Sequence, residues 1–432
     1  MLYKLSDIKN NYLFKIFSLN SIHVFLKLLF GFFTSKAIAL YVGPSGMGLL
    51  GNFRSFLGLI ENIALLGFQN GIVKYISEHK DHPIEYRKIV FTSGIIVLFS
   101  TLLLSLFLIF AVDFLTHSIL KDQDFYQYIF YLMALLLPFY IGSVYIISIV
   151  NGLHHYKSVI LVQLISGVLT LGISLWLIIF FNTIGALLSL LIGQVVLCFI
   201  LIFYSTKNHL FKGVFSFQNF DVKLIKNFSE YAFMALISGV IGSFILLQIR
   251  NEIINQEGLF VSGVYEGLQR ISSYYLLFIS TIISLYFLPK LAQQNSIKEE
   301  KEIVRTYLYY IIPIFGLGLI ALFFIRDFVI QILFSPEFKS MEHLFFWQLL
   351  GDFLKAISLL FGYILIAKKQ TKIFIITEIS SLLILYFSTH FLLQKNTIIG
   401  VVQAYSLTYF IYLIVLIFYF RKLLFSSSDK MQ

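Results

Sequence analysis

Apolar stretches of about the length needed to cross a bilayer follow one another along the chain, separated by short polar breaks. A hydrocarbon core asks for about 20 apolar residues per helix, and on that ruler spans fall near 14–41, 46–68, 89–112, 126–150, 158–181 and 184–205. A polar break follows, and six more spans lie near 229–254, 261–288, 304–325, 343–367, 372–393 and 398–421. The pattern predicts an all-α polytopic membrane protein of about 12 transmembrane helices in two six-helix lobes. The first lobe takes residues 1–206, a cytoplasmic amphipathic linker 207–227, the second lobe 228–422 and a cytoplasmic tail 423–432. Lys207, Lys212, Lys223 and Lys226 give the linker its polar character, suited to lying along a membrane surface.

Composition excludes the main alternative. With 59% hydrophobic and 12% charged residues in 432, a water-soluble fold has too little polar surface to cover itself. The first apolar stretch is too long for a signal-peptide core, so it reads as a retained helix. The formal charge of +10 sits in short clusters between spans and makes no continuous basic face, so nucleic acid is not an expected partner. Placing both termini in the cytoplasm assigns 22 Lys and Arg residues to cytoplasmic segments and four, Lys121, Arg326, Lys339 and Lys395, to the opposite loops. That asymmetry is what the positive-inside rule asks of an even number of helices.

Catalytic chemistry has no candidate. The single cysteine, Cys198, lies in an apolar run and makes no thiolate cluster. Gly43 to Gly48 is glycine-rich but lacks the Walker lysine and a preceding strand, so it reads as a tight outer turn. The pairs His79/His82 and His154/His155 lie in loops without the carboxylates or spacing of a metal site. The short loops argue against a membrane transferase or polymerase, which needs a sizeable outer loop. The expectation is a transporter with no cofactor and no metal.

Charges inside the spans carry the candidate chemistry, because each costs about 2.5–3.5 kcal/mol on insertion scales and persists where it faces a wet cavity or a partner. The first lobe holds Lys27, Lys36, Arg54 and Glu61; the second holds Arg250, Glu252, Glu266, Arg270, Asp352, Lys355 and Glu378. Lys36 is placed to snorkel to the outer interface. Arg54 and Glu61 share a helix face, and two further polar stripes combine Glu266, Gln269, Arg270 and Ser273, and Gln348, Asp352 and Lys355. Gly51-Asn52-Phe53-Arg54 and Gly267-Leu268-Gln269-Arg270 share the pattern G-x-x-R, and both arginines fall about 12 Å into their helices. Parallel repeats would set them at equal depth around one cavity. Arginine keeps its charge and pairs bidentately with phosphate oxygens, so such a cavity suits a pyrophosphate or an acidic sugar. The competing reading is that Arg54 pairs with Glu61, Arg270 with Glu266 and Lys355 with Asp352, locking helices together.

Several blocks carry a family resemblance: Tyr41 to Ile60, Gly71 to Asp81, Phe233 to Ser238, Leu285 to Gln293, Arg326 to Phe338, Phe346 to Lys368 and Val402 to Tyr405. In order along the whole chain they resemble the Wzx-type flippases, the polysaccharide transporter branch of the multidrug/oligosaccharidyl-lipid/polysaccharide exporter superfamily. The nearest likeness is to translocases for the enterobacterial common antigen lipid III and O-antigen units. The resemblance implies two lobes around a central cavity of alternating access, in the bacterial inner membrane. It implies an undecaprenyl-pyrophosphate-linked glycan as substrate, with a polysaccharide polymerase and a chain-length regulator as protein partners. It places Asn52 and Arg54, and likewise Gln348, Asp352 and Lys355, where the family's cavity residues lie. The chain departs in its richness in Phe and Ile and its polar amino end, which bears on the glycan identity. The expected substrate-binding set is Lys27, Asn52, Arg54, Arg250, Gln269 and Arg270; the polar stripes with a proton-coupling role are Glu61, Glu266, Gln348, Asp352, Lys355 and Glu378. A drug/cation antiporter of the same superfamily, a membrane transferase and a non-transporting scaffold stand as alternatives.

Overall fold

A computed structural model describes residues 12–121, 126–293 and 296–425. The amino-terminal residues 1–11 and most of the carboxyl-terminal tail, 426–432, lie outside the described residues, as do side chains in the block Phe233 to Ser238 except that of Ile237's neighbour Leu236. Every regular element among the described residues is helical. In chain order they are α1 (Tyr12–Tyr41), α2 (Gly43–Ala64), α3 (Gln69–His79), α4 (Pro83–Phe110), α5 (Val112–Leu120), α6 (Gln127–Gly152), α7 (Tyr156–Lys207) and α8 (Val222–Ile282). A π-turn, Ile283–Phe287, leads into α9 (Leu288–Gln293), and a second, Tyr307–Ile311, joins α10 (Ile297–Thr306) to α11 (Ile312–Phe324). Then come α12 (Arg326–Leu333), a 3-10 segment (Pro336–Leu344), α13 (Phe345–Ala367), α14 (Thr371–Tyr419) and α15 (Arg421–Phe425).

Among the described residues, nine segments are long and apolar enough to cross a membrane when α2 and α3, bent by 45°, are taken as one. Three of them, α7, the Gly239–Gln293 run and α14, are 52, 55 and 49 residues long and are broken at Asn182, Gly258 and Asn396–Thr397. Since one crossing uses about 20 residues, each of these three is a hairpin of two crossings, and the total agrees with the dozen expected. The breaks fall where the polar signal in the sequence marks loops, which are so tight that the helices run almost end to end.

The two halves of the chain repeat one order of turns. The first hairpin of each half reverses at a glycine with positive φ, Gly43 (φ 72°) and Gly258 (φ 85°), a conformation that a Cβ disfavours. α4 ends at Ala111 (φ −97°, ψ 11°) and turns into short α5; α11 ends at Ile325 (φ −97°, ψ 10°) and turns into short α12. The last hairpin of each half turns at a left-handed residue, Asn182 (φ 48°) or Thr397 (φ 53°), with a glycine three positions later. There the returning helix touches backbone: a Cβ on Gly185 would stand 1.9 Å from the Leu177 carbonyl oxygen, and one on Gly400 2.0 Å from that of Leu392. Gly400→Ala is therefore expected to lose about 1–3 kcal/mol of stability through overpacking. Gly172→Ala, which meets nothing within 4 Å, is the control and should keep or raise the melting temperature in detergent.

The chain forms two compact units, Met1–Val42 with Leu49–Leu247, and Gly43–Gly48 with Gln248–Gln432. In the second unit the start of α2 lies directly on α8: a Cβ on Gly263 would fall 1.7 Å from the Pro44 carbonyl oxygen, and one on Gly48 2.6 Å from that of Leu259. The glycine-rich turn thus serves backbone packing. In the first unit, residues 208–221 form turns and a 3-10 segment (Phe217–Asn219). They are tied to α4, where Tyr86 Oη donates to Leu210 O (3.1 Å) and Thr92 Oγ1 to Asn219 O (3.3 Å), with Phe91 edge-on to Phe217.

Candidate functional site

The second unit gathers its polar side chains into two connected groups. α13 buries Ala356, Leu360, Phe361 and Ile364 in one core with Tyr307 and Leu416, and nearer its start Gln348 and Asp352 are both fully buried. The Asp352 carboxylate accepts four hydrogen bonds: from Ser272 Oγ (2.7 Å) and Tyr275 Oη (2.5 Å) of α8, Gln348 Nε2 (3.2 Å) one turn back, and Tyr405 Oη (2.7 Å) of α14. Gln269 Nε2 extends the chain by donating to Gln348 Oε1 (3.0 Å). Gly351 makes the Tyr405 bond possible, because a Cβ there would stand 2.4 Å from that ring. Three helices are thus bound through one carboxylate.

Lys355, one turn beyond Asp352, holds its ammonium over the rings of Tyr405 (5.7 Å) and Tyr409 (5.1 Å), and the Asp352 and Glu378 charges also act on it. The second group is an ion cluster. Glu266, 1% exposed, meets the Arg250 guanidinium from the preceding crossing and Arg270 one turn ahead (3.6 Å). Arg270 with Glu266 is the pairing expected from spacing; Arg250 joins it because Gly258 folds its helix back alongside. Glu252 pairs with His390 of α14, which also bonds Gln394 (3.2 Å), a contact absent from the sequence reading. Glu378 is half-buried on α14, where its carbonyl accepts from Ser381.

In the first unit the predicted residues part company. Asn52 is fully buried and its Nδ2 donates to Ile119 O (2.6 Å), which anchors the end of α5. Arg54 is exposed, unlike its counterpart Arg270 at 6%. One turn back from Arg270 stands Glu266, and one turn back from Arg54 stands Leu50. Glu61 accepts from Tyr140 Oη (3.1 Å) of α6, and the Arg54 charge acts on that same hydroxyl. Lys27 lines a cavity of about 380 Å³ between α1 and α7. Ser272, Tyr275 and Tyr405 escaped the sequence reading; the signal available for Tyr405 was the V-Q-A-Y block.

Residues 13–295 match the polysaccharide biosynthesis protein family. The chain is 29% identical over 392 residues to the lipid III flippases of Escherichia coli (strain K12) and Shigella flexneri, covering 88% of this chain and 92% of each relative. Among solved structures it resembles an inward-facing multidrug resistance MATE family transporter of the MOP superfamily, with a TM-score of 0.71, 15% identity and coverage of 91% of this chain and 94% of that one. It also resembles the lipid II flippase MurJ in an inward closed conformation, with a TM-score of 0.70, 17% identity and coverage of 93% and 87%. At these identities the solved structures establish the fold.

Proposed function

Because the chain belongs to the polysaccharide biosynthesis protein family, we propose that it is a flippase for a lipid-linked oligosaccharide. Its cargo is an undecaprenyl-pyrophosphate-linked glycan of the lipid III or O-antigen-unit type. It moves that cargo from the cytoplasmic to the periplasmic leaflet of the bacterial inner membrane by alternating access, with both termini cytoplasmic. The observation that carries this reading is that the likeness to the lipid III flippases runs almost end to end, over 88% of the chain.

The residues supply a consistent chemistry. The glycan head is polar and anionic and needs shelter from hydrocarbon, whereas the polyprenyl tail can stay in lipid. Lys27 and Arg54 are cations held at span depth and exposed from their helices, suited to meeting diphosphate and sugar. Arg250 and Arg270 add charge beside Glu266. Asn52, Gln348 and Asp352 act through packing, since all three are fully buried. Among the carboxylates, half-buried Glu61 and Glu378 are the groups for proton coupling, because a proton on Asp352 would displace one of its four donors. A polysaccharide polymerase and a chain-length regulator are the protein partners of this reading.

Leaflet-resolved flipping of defined undecaprenyl-pyrophosphate glycans by protein in liposomes, with and without a pH gradient, tests substrate and energy source together. Arg54→Ala should lower the flipping rate about tenfold, the order of one charge-assisted contact, at unchanged protein level. Full activity in that variant removes Arg54 from the substrate path.

A further inference from the structure

In the second unit a carboxylate and an imidazole meet between α8 and α14, close to the breaks of both helices. Glu252 precedes the break at Gly258 and His390 the break at Asn396 by the same interval, which at 1.5 Å per residue puts both about 9 Å from their turns. We infer that Glu252, held by His390, is a proton-binding site, additional to Glu61 and Glu378, through which acid on the outer side drives flipping. The inference rests on the flippase reading and its topology, in which both breaks face outward.

The hydrogen bonds fix which atom takes the proton. Gln394 Nε2 stands 3.2 Å from His390 Nε2, and an amide nitrogen only donates, so that ring nitrogen bears the lone pair. Nδ1 then bears the hydrogen and gives it to Glu252 Oε1, which also accepts from Gln256 Nε2 (3.3 Å). Oε2 is buried and has no hydrogen-bond partner among the described residues. The result is a carboxylate, 15% exposed, beside a neutral ring, at a depth where a charge is costly. A proton from water that settles on Oε2 removes that charge and breaks neither bond to Oε1. On Asp352 a proton displaces a donor, and on His390 it displaces Gln394. The way in is open, because Gln256 and Gln394, one turn nearer the breaks, are exposed and the His390 side chain is 43% exposed.

Other groups on these stretches carry or change charge. Arg250 meets Glu266, which also meets Arg270, and the charges of Arg250 and Glu266 act on buried Tyr265. Asp352 holds its four donors, Tyr405 among them, and Lys355 lies over tyrosine rings. Glu257 and Lys395 stand at the two turns, and Tyr386 lies one turn before His390. Glu378 is on the same helix as His390, about 18 Å further from the break.

Undecaprenyl pyrophosphate carrying a trisaccharide is the probe, flipped by protein in liposomes with and without a gradient of about one pH unit, acid on the side of the outer turns. Wild type should flip up to about tenfold faster with the gradient, the factor that one proton gains from one unit. In Glu252→Gln an amide of the same shape replaces the protonated carboxyl, and the ratio of the two rates should fall to one; Glu252→Asp should keep a ratio above one. His390→Asn keeps a donor toward Glu252 and should keep the response, whereas His390→Phe should lose it. A wild-type rate indifferent to the gradient overturns the inference, and so does a full response in Glu252→Gln. Should Glu252→Gln not fold, the His390 variants decide: a response kept by Asn and lost by Phe upholds the inference, and equal responses overturn it. Infrared difference spectra of the purified protein between acidic and neutral buffer read the site without transport, since the carbonyl band of protonated carboxyls should weaken in Glu252→Gln. If wild type does not flip the lipid, the flippase reading falls and that band alone decides the proton site: a weaker band upholds it, and an unchanged band overturns it.

Discussion

Asp352→Leu is expected to lose about 3–5 kcal/mol of stability, the scale on which a buried charged network fails when one partner is removed. The substitution is close to the aspartate in size and more apolar, so burial alone favours it. The loss comes from the donors. Ser272, Tyr275, Gln348 and Tyr405 all hydrogen-bond this carboxylate, and with it gone Gln348 and Tyr405 lose that acceptor while Ser272 and Tyr275 are left with each other (2.9 Å). Tyr405→Phe removes one bond of the four and should cost less, about 1.5–3 kcal/mol, the worth of a hydrogen bond to a charged group. Thermal unfolding in detergent, read by loss of the monodisperse peak on size exclusion, measures both. An Asp352→Leu protein as stable as wild type would mean that the network does not hold α8, α13 and α14 together.

Glu266→Gln should approach the same size of loss for a different reason. The amide replaces the carboxylate almost atom for atom, so packing is conserved and charge is what changes. In wild type the carboxylate is 1% exposed and faces Arg250 and Arg270, whose side chains are 15% and 7% exposed. Taking away the anion leaves two guanidinium groups side by side in a poorly solvated place, with an expected cost of about 3–5 kcal/mol. The double variant Glu266→Gln, Arg270→Met removes one of the two stranded cations and should recover part of that loss. A thermal-melt cycle over the four proteins measures the coupling, and strictly additive losses would mean that Glu266 and Arg270 do not act on one another.

Much of the fold is legible along the chain because the bilayer imposes it locally. A segment in hydrocarbon must satisfy its own backbone hydrogen bonds, so span length and composition set the crossings residue by residue, and Asn182, Gly258 and Asn396 mark the turns as plain interruptions. The pairing of Arg270 with Glu266 is legible for the same reason, since four residues make one helical turn. Lys27, Arg54 and the half-buried carboxylates were identifiable as costly charges before any contact was known.

The sequence by itself therefore determined an all-helical membrane protein of about a dozen crossings, its family, and the set of charges that need a reason to exist. Only the tertiary structure decided what each charge meets. It brought Tyr275 and Tyr405, 77 and 53 positions from Asp352, onto one carboxylate, and set Lys355 over tyrosine rings. It closed Asn52 against Ile119 and opened a cavity at Lys27. The two G-x-x-R arginines share a motif and differ in surroundings, because a charge's environment is the sum of side chains delivered by other helices, and no periodicity along one helix encodes them.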